Sequence, residues 1–407
     1  MAMFKYSRLD FLCTCVGLVL LLLDISLDIW AAVGFYQEGA WGPLAVLLLL
    51  LVGSSVLVQV FSWFWYSYEE FQMETRVEKW LSPRLKLLHV LQMGIYLRHA
   101  GVLETSMGSF FSRSSDPLAV YLSHDLSMLR IIETFSESSP QIVLMLSIIL
   151  QKGLLDPVTV IKALGSVSAV AFSVTTYHRC LRSFLPEKAK QSFLSSVVYF
   201  LWHLTLLLSR LVALALFTSV MPCFIFGHFL CSWLVLFFCA WRSNTAFMDS
   251  PAGEWLYRAT VALVWYFDWF NVVEGKTRKP TLLYHGYILV DICLLCGLWY
   301  WKMSTDPPAF VVPWVYAAAT AGTVVALYVL GLLLKVLYYK RFHPNLRGDE
   351  LRGVSTEVLQ LGDEVDAPRM LMQSATVPDV VTDRCMPGPP AHCNRRMKKL
   401  AENFYSG

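Results

Sequence analysis

The stretch LAVLLLLLVGSSVLVQVFSWFW, residues 44–65, contains no ionisable side chain in its 22 residues. As an α-helix it extends about 33 Å, slightly more than the ~30 Å hydrocarbon core of a bilayer. A helix satisfies its own backbone hydrogen bonds, which is what hydrocarbon requires. In the whole chain of 407 residues, 56% are hydrophobic and only 15% are charged, against about 25% charged in soluble domains. The sequence therefore predicts an all-α polytopic membrane protein.

Seven other segments have comparable length and apolar character. They lie near Phe11–Val33, Tyr121–Leu150, Val158–Tyr177, Phe193–Phe217, Phe224–Trp241, Leu282–Trp301 and Val311–Tyr339. Together with Leu44–Trp65 they predict eight transmembrane helices. Two more apolar segments, Leu85–Leu103 and Glu254–Val273, are interrupted by charged residues, and we interpret them as re-entrant or interfacial helices.

The distribution of Lys and Arg predicts the orientation, because cytosolic loops of membrane proteins are enriched in both. With eight spans and both termini cytosolic, the outer loops hold only Lys152 and Lys302, whereas the basic loops fall inside. If either interrupted segment crossed the membrane, later basic loops would move outside. The order of segments then predicts two pseudo-symmetric four-span halves, about 1–192 and 193–342, each with one re-entrant helix.

Ionisable side chains inside predicted spans are costly, and such residues are usually functional. They are Asp24, Asp28, Asp125, Arg130, Glu133, Glu137, Arg210 and Asp291, with Lys335 in the last span. Arg130, Glu133 and Glu137 follow an i, i+3, i+7 pattern and so share one helical face. We interpret this face as part of a polar track. The alternative is a set of buried ion pairs that fix helix register, with Arg130 paired to Glu133 or Asp24.

The C-terminal tail differs from the rest of the chain. Pro, Gly, Asp, Thr and Ser dominate the residues from 345 to 393, and we predict a disordered cytosolic linker over 343–393. Residues 394–407 predict a short basic amphipathic helix with Met397, Leu400 and Phe404 on one face. The linker contains the preferred recognition sequence of executioner caspases, Asp363, Glu364, Val365, Asp366 and Ala367. Cleavage after Asp366 would release the helix; the alternative is an acidic patch without function.

Other chemistry is not indicated by the sequence. The net charge of +3 suggests no nucleic-acid partner, and the ten cysteines have no zinc-like spacing. Gly275-Lys276-Thr277 resembles the end of a phosphate-binding loop, but position 270 is Phe rather than Gly. We therefore expect no metal or other cofactor and no enzymatic activity.

Several stretches closely resemble signatures of the XK-related family of membrane proteins. They are DLSMLRIIETFSESSPQ (residues 125–141), LDISLDIW (23–30), EWLYR (254–258) and FNVVE (270–274). The resemblance covers essentially the whole membrane part. It implies eight spans in two pseudo-symmetric halves with re-entrant helices. It maps the family's important charges onto Asp24, Asp28, Arg130, Glu133 and Glu137, whereas Thr176 stands where the family commonly has an acid.

The resemblance also implies an activity, which is caspase-activated scrambling of phospholipids at the plasma membrane. Members of this subgroup expose phosphatidylserine during apoptosis, and members of the family pair with single-pass glycoproteins, for this subgroup an immunoglobulin-domain protein such as basigin. On this interpretation the tail helix inhibits the intact protein by packing on the cytosolic half helices. The residues alone leave two alternatives open: an ion channel or secondary transporter, and an accessory adaptor, each regulated by the same cleavage.

Overall fold

The computed structural model describes residues 7–68, 75–112, 117–153, 157–184, 190–243, 245, 247, 248, 250–271, 278–306 and 312–344. In this part of the chain all regular secondary structure is helical. The α-helices are α1 (Arg8–Gln37), α2 (Trp41–Tyr68), α3 (Arg76–Leu81), α4 (Leu85–Val90), α5 (Gly94–Ser112), α6 (Pro117–Glu133), α7 (Ser139–Lys152), α8 (Pro157–Phe184), α9 (Phe193–Val220), α10 (Phe224–Arg242), α11 (Pro251–Phe267), α12 (Arg278–Thr305) and α13 (Trp314–Leu337).

Seven of the described helices are long and apolar enough to cross a membrane. They lie in Arg8–Gln37, Trp41–Ser67, Val160–Ser183, Phe193–Val220, Phe224–Arg242, Lys279–Thr305 and Trp314–Phe342. The all-α polytopic fold is thereby confirmed. The remaining predicted span, Tyr121–Leu150, lies in a helical segment that runs without a break from Pro117 to Lys152. This segment is not among the seven helices that are apolar enough by themselves to cross a membrane. The count of eight crossings and the division into two halves stay predictions.

The segment from Pro117 to Lys152 contains a π turn, Thr134–Ser138, between α6 and α7. Its wider hydrogen bond joins the N–H of Ser139 to the carbonyl of Thr134. Pro140 follows immediately, and a proline inside a helix has no N–H and clashes with the carbonyl four residues earlier. The π turn accommodates this proline, and its extra residue rotates the following helix by about 100°. Glu137 lies within this turn.

The prediction of one half helix over Leu85–Leu103 is wrong. The chain forms α4, turns at residues 91–93, where Gln92 has φ 62°, and then forms the longer α5. Gly94 permits the close return, because a Cβ there would lie 2.5 Å from His89 Nε2 and 2.6 Å from Gln59 Oε1. The second predicted half helix, Glu254–Val273, is shifted. It forms α11 and ends at Phe267, because Asp268 adopts an extended backbone.

Helices α9 and α1 have the most different environments among the seven. α9 packs against α7, α8, α12 and α13, and 67% of its most apolar stretch is buried. Only 11% of the corresponding stretch of α1 is buried. α1 contacts α2, α5 and α8 more weakly and leaves Leu23 and Leu27 exposed. α1 is therefore a peripheral helix with one face directed at lipid.

Candidate functional site

Helix α1 lies parallel to the segment formed by α6, the π turn and α7. Three side-chain contacts connect them, and each joins residues 113 or 114 positions apart. The pairs are Asp24 with Ser138, Asp28 with Gln141, and Glu38 with Lys152. A constant offset means that both helices rise in the same direction, at the same rate, from the first contact to the last. Fourteen residues of α-helix extend about 21 Å, which is most of the hydrocarbon thickness.

The charges along this contact form what we call the acidic seam, defined as Asp24, Asp28, Arg130, Glu133 and Glu137. Ser138 donates its hydroxyl hydrogen to Asp24 Oδ2 at 3.2 Å, and Gln141 Nε2 donates to Asp28 Oδ1 at 2.5 Å. Arg130 Nη1 donates to Glu133 Oε2 at 2.8 Å. Asp24 and Glu137 also lie within Coulombic range of the Arg130 guanidinium.

The acidic seam has an unusual charge balance and an intermediate degree of burial. It holds four carboxylates and one guanidinium, so one positive charge faces up to four negative ones. The side chains of Arg130 and Glu133 are 15% and 16% exposed, while Asp28 and Glu137 are 6% and 9% exposed. The seam is therefore neither a closed ion pair nor a solvated surface. It can offer hydrogen-bond acceptors, and one strong donor, to a polar group beside α1.

The other predicted intramembrane charges are not part of the acidic seam. Asp125 turns to the opposite side, where Arg98 Nη1 lies 3.8 Å from its Oδ2. Arg98 also donates from Nε to Ser62 Oγ at 2.8 Å and lies 4.0 Å from the centre of the Tyr66 ring. Asp125 and Arg98 thus fasten α6 to α5 and α2, a structural role.

Arg210 and Asp291 pair with each other among α9–α13. Arg210 Nη1 donates to Asp291 Oδ2 at 2.5 Å, and its Nε donates to the carbonyl of Tyr266 at 3.1 Å. His228 bridges Asp291 Oδ1, at 3.0 Å, and the Tyr266 hydroxyl, at 2.9 Å. The Arg210 side chain is fully buried. We call Arg210, His228, Tyr266 and Asp291 the buried ion cluster.

Two further polar groups lie in the membrane part. Asp10, in the first turn of α1, accepts from the backbone N–H of Ser7 at 3.0 Å and from Arg179 Nη2 at 3.0 Å. It therefore caps α1 and attaches it to α8. Lys335 Nζ lies 3.0 Å from His285 Nε2, beside the Trp202 ring at 5.0 Å. Both groups are separate from the acidic seam.

Comparison with known proteins identifies the family of this chain. The family model described as XK-related protein matches residues 12–344. The chain belongs to the XK-related family. It is 41% identical to "XK-related protein 8" of Tetraodon nigroviridis, over 100% of this chain and 98% of the relative. Its identity to "XK-related protein 8" of Gasterosteus aculeatus is 42%, over 84% and 86%, and to that of Pan troglodytes 34%, over 96% and 92%.

The match to the XK-related family covers the entire acidic seam and the buried ion cluster. It stops before the predicted caspase sequence Asp363–Ala367 and the tail residues Met397, Leu400 and Phe404. These residues lie outside the described part of the chain. The match to the Tetraodon relative includes them, since it covers the full chain.

Sequence reasoning missed several partners of these charges. The sequence did not indicate that Ser138 contacts Asp24, because this contact depends on the π turn, and a π turn produces no regular spacing of residues in the sequence. His228 lies inside a predicted span, Phe224–Trp241, and a titratable residue at that position was a usable signal. Arg98 was noted only as an interruption of an apolar segment. A charge that interrupts such a segment, together with Asp125 in a neighbouring span, indicated a pair.

Proposed function

We propose that this member of the XK-related family is a caspase-activated, ATP-independent phospholipid scramblase that exposes phosphatidylserine at the plasma membrane during apoptosis. The observation that carries the proposal is the acidic seam, because it extends along a lipid-facing helix and is only partly neutralised. The four carboxylates have one guanidinium among them, so a structural ion pair accounts for only part of the seam.

A lipid headgroup that crosses hydrocarbon must lose most of its hydration, at a cost of several to more than ten kcal/mol for a charge. The acidic seam lowers this cost by replacing water with fixed polar partners. Carboxylates attract the amine of phosphatidylserine, phosphatidylethanolamine or phosphatidylcholine, and Arg130 attracts the phosphate. The acyl chains stay in lipid beside α1, whose Leu23 and Leu27 are exposed. Such a path works in both directions and collapses an existing leaflet asymmetry without fuel.

The tail provides the regulation in this proposal. Both termini are cytosolic, so executioner caspases reach Asp363–Ala367 and cut after Asp366. In the intact protein Met397, Leu400 and Phe404 would pack on apolar side chains of α3 and α4, where Trp80 and Val90 are 78% and 76% exposed. Cleavage removes this cover and permits α1 to separate from α6 and α7.

The proposal includes a partner subunit, a single-pass immunoglobulin-domain glycoprotein such as basigin, which stabilises or delivers the protein to the cell surface. Its span would pack on the apolar outer faces of the helices. Expression with and without basigin, followed by surface biotinylation, measures this part. Equal surface amounts in cells that lack basigin and in cells that express it would remove the partner from the proposal.

The decisive experiment uses purified protein in liposomes with fluorescent phosphatidylserine and a membrane-impermeant quencher, with any required partner present. Caspase-treated protein should render the inner-leaflet lipid accessible, whereas untreated protein and an Asp366→Ala variant treated with caspase should not. Equal lipid movement before and after cleavage would contradict release from inhibition. The absence of any movement in cleaved protein, with the partner present, would contradict scrambling itself.

A cation channel is a second candidate, because the same excess of carboxylates that attracts lipid amines also attracts metal cations. Planar-bilayer recording of the cleaved protein separates the two. Ion currents without lipid movement would favour the channel, while lipid movement without unitary currents would favour the scramblase.

A further inference from the structure

A pocket lies beside the acidic seam, between α1, α5, α6 and α8. Its volume is about 70 Å³, and Arg130 lines it together with His99, Ser123 and Thr176. A single buried water needs only about 10–15 Å³ of such space. The pocket therefore has room for a polar group of several heavy atoms.

Three polar atoms at this pocket have no hydrogen-bond partner within the described chain. They are His99 Nε2 on α5, Ser123 Oγ on α6 and Thr176 Oγ1 on α8. Buried polar side chains nearly always have a partner, and leaving one without costs about 1–3 kcal/mol. The residues that carry these three atoms lie on three different helices and line the same pocket. This arrangement indicates that a polar group occupies it when the protein is at work.

The chemistry of the lining identifies the kind of group. Arg130 is the charged side chain among the lining residues, and Asp and Glu do not occur among them. An imidazole Nε2–H and two hydroxyls can all donate hydrogen bonds. Arg130 donates to Glu133 from Nη1, and its other guanidinium N–H groups can donate to an anion with several oxygens, since Arg matches phosphate oxygens in geometry. The remaining lining is largely apolar, with Leu18, Leu20 and Phe172, so it suits a group attached to hydrocarbon.

We propose that this pocket binds the phosphodiester of a phospholipid, with Arg130, His99, Ser123 and Thr176 as its ligands. This inference rests on the proposed function, because it assigns the phosphate of the moving lipid to a particular place beside the acidic seam. The amine of the headgroup then remains free to contact the seam carboxylates. Free phosphate has the same oxygen chemistry, and the test separates the two sources.

The test measures binding of soluble probes to the purified full chain in a phosphate-free maltoside detergent, by isothermal titration calorimetry. The probes are dihexanoylphosphatidylcholine, dihexanoylglycerol, which lacks the phosphate, and inorganic phosphate. Ser123→Asp places a carboxylate in the pocket that Arg130 lines and should weaken binding of the phospholipid by about 10–100-fold, since charged partners dominate such sites. Removing two hydroxyls by Ser123→Ala with Thr176→Val should weaken it by about 3–10-fold per hydrogen bond.

Two control variants lie on the same helix as Thr176. Thr175→Val removes a buried hydroxyl that already donates to the carbonyl of Ala171 at 2.8 Å, and Ser168→Ala removes one that donates to the carbonyl of Leu164 at 2.7 Å. Both should bind dihexanoylphosphatidylcholine as the parent protein does. Dihexanoylglycerol should bind much more weakly than the phospholipid.

Phospholipid binding that is equal in the parent and in Ser123→Asp would overturn the inference, and so would equal binding of the two lipids. Inorganic phosphate that binds as tightly as the phospholipid would overturn the assignment to lipid. The proposed function is tested separately in liposomes. Scrambling that is unchanged in Ser123→Asp would contradict the pocket and leave scrambling intact. Binding that responds to the variants in a protein that does not scramble would support the pocket and contradict the function.

Discussion

The acidic seam and the buried ion cluster both consist of charges inside the membrane, yet they are different physical objects. In the buried ion cluster one guanidinium meets one carboxylate, and His228 and Tyr266 supply further hydrogen bonds. In the acidic seam four carboxylates share one guanidinium, and a loosely packed helix covers them. The comparison teaches that the presence of intramembrane charge does not identify a functional site. The proposed function rests instead on charge imbalance next to lipid.

The largest expected effect is the loss of a partner from the buried ion cluster. Arg210→Met leaves Asp291 with His228 alone in a buried site, and breaking a buried pair in this way costs about 3–5 kcal/mol. We expect a severe loss of folded protein, read as a lower unfolding temperature in detergent. The double variant Arg210→Met with Asp291→Leu removes both charges and should recover much of that stability. A double variant as unstable as the single one would show that the cluster is not a closed pair.

Loss of a charge from the acidic seam should leave stability intact and lower activity, the opposite of its effect in the buried ion cluster. Glu137→Gln removes one of four crowded carboxylates, so the unfolding temperature should stay the same or rise. Scrambling by the cleaved protein should fall by about 10–100-fold, the range expected when a charged hydrogen-bond partner is lost. Stopped-flow quenching of fluorescent lipid in liposomes measures the rate at matched protein density. A marked loss of stability with an unchanged rate would make the seam a structural feature like the buried ion cluster.

Helix packing predicts a third difference, which is between a glycine of α13 in the core and a glycine of the peripheral helix α1. Gly331 of α13 faces α9, and a Cβ there would lie 2.5 Å from Leu206 Cδ2 and 2.9 Å from Thr205 Oγ1. Because Leu206 is buried in the core, Gly331→Ala should destabilise the protein by about 1–3 kcal/mol.

Gly34 of α1 is the matched control for Gly331, because a Cβ added at Gly34 would have no other atom within 4 Å. Gly34→Ala should be neutral or slightly stabilising, since Ala is the better helix former. Thermal unfolding of both variants measures the contrast. Equal effects would mean that α1 is packed as firmly as the contact between α9 and α13, which would contradict the proposed separation of α1 from α6 and α7.

The sequence was sufficient for the fold because apolar length is a strong signal. The predicted span Phe11–Val33 lies within α1, and the observed helix continues by a few residues at each end. The polar residues at the ends of a helix could not be assigned from apolar character, because hydrogen bonds hold them in the helix. At the start of α1, Asp10 makes such bonds with Ser7 and Arg179. The break inside Leu85–Leu103 depends on a single left-handed residue, Gln92, and Gly94 was the available signal for it.

The site was predictable in its residues and only partly in its geometry. The prediction offered Glu133 or Asp24 as the partner of Arg130, and Glu133 forms the hydrogen bond. The i, i+3, i+7 face assumed an unbroken α-helix, whereas the π turn at Thr134–Ser138 changes the register in its middle. Which charges from distant segments meet, as Arg210 and Asp291 do, depends on helix packing that one sequence does not reveal.

The smallest expected effect separates the acidic seam from an ordinary ion pair on the same two helices. Asp28→Asn keeps an oxygen that can accept from Gln141 Nε2 but removes the charge, so the rate of lipid movement should fall by about fivefold, the difference between a charged and a neutral hydrogen bond. Glu38→Gln is the control, because Glu38 pairs with Lys152 at 2.6 Å at the exposed end of α1 and α7. Exposed pairs contribute about 0–1 kcal/mol, and this one lies beyond the seam, so the rate should not change. If both variants slow lipid movement equally, the contact between α1 and α7 acts by holding the helices together. If only Asp28→Asn slows lipid movement, the negative charge of Asp28 itself acts on the lipid.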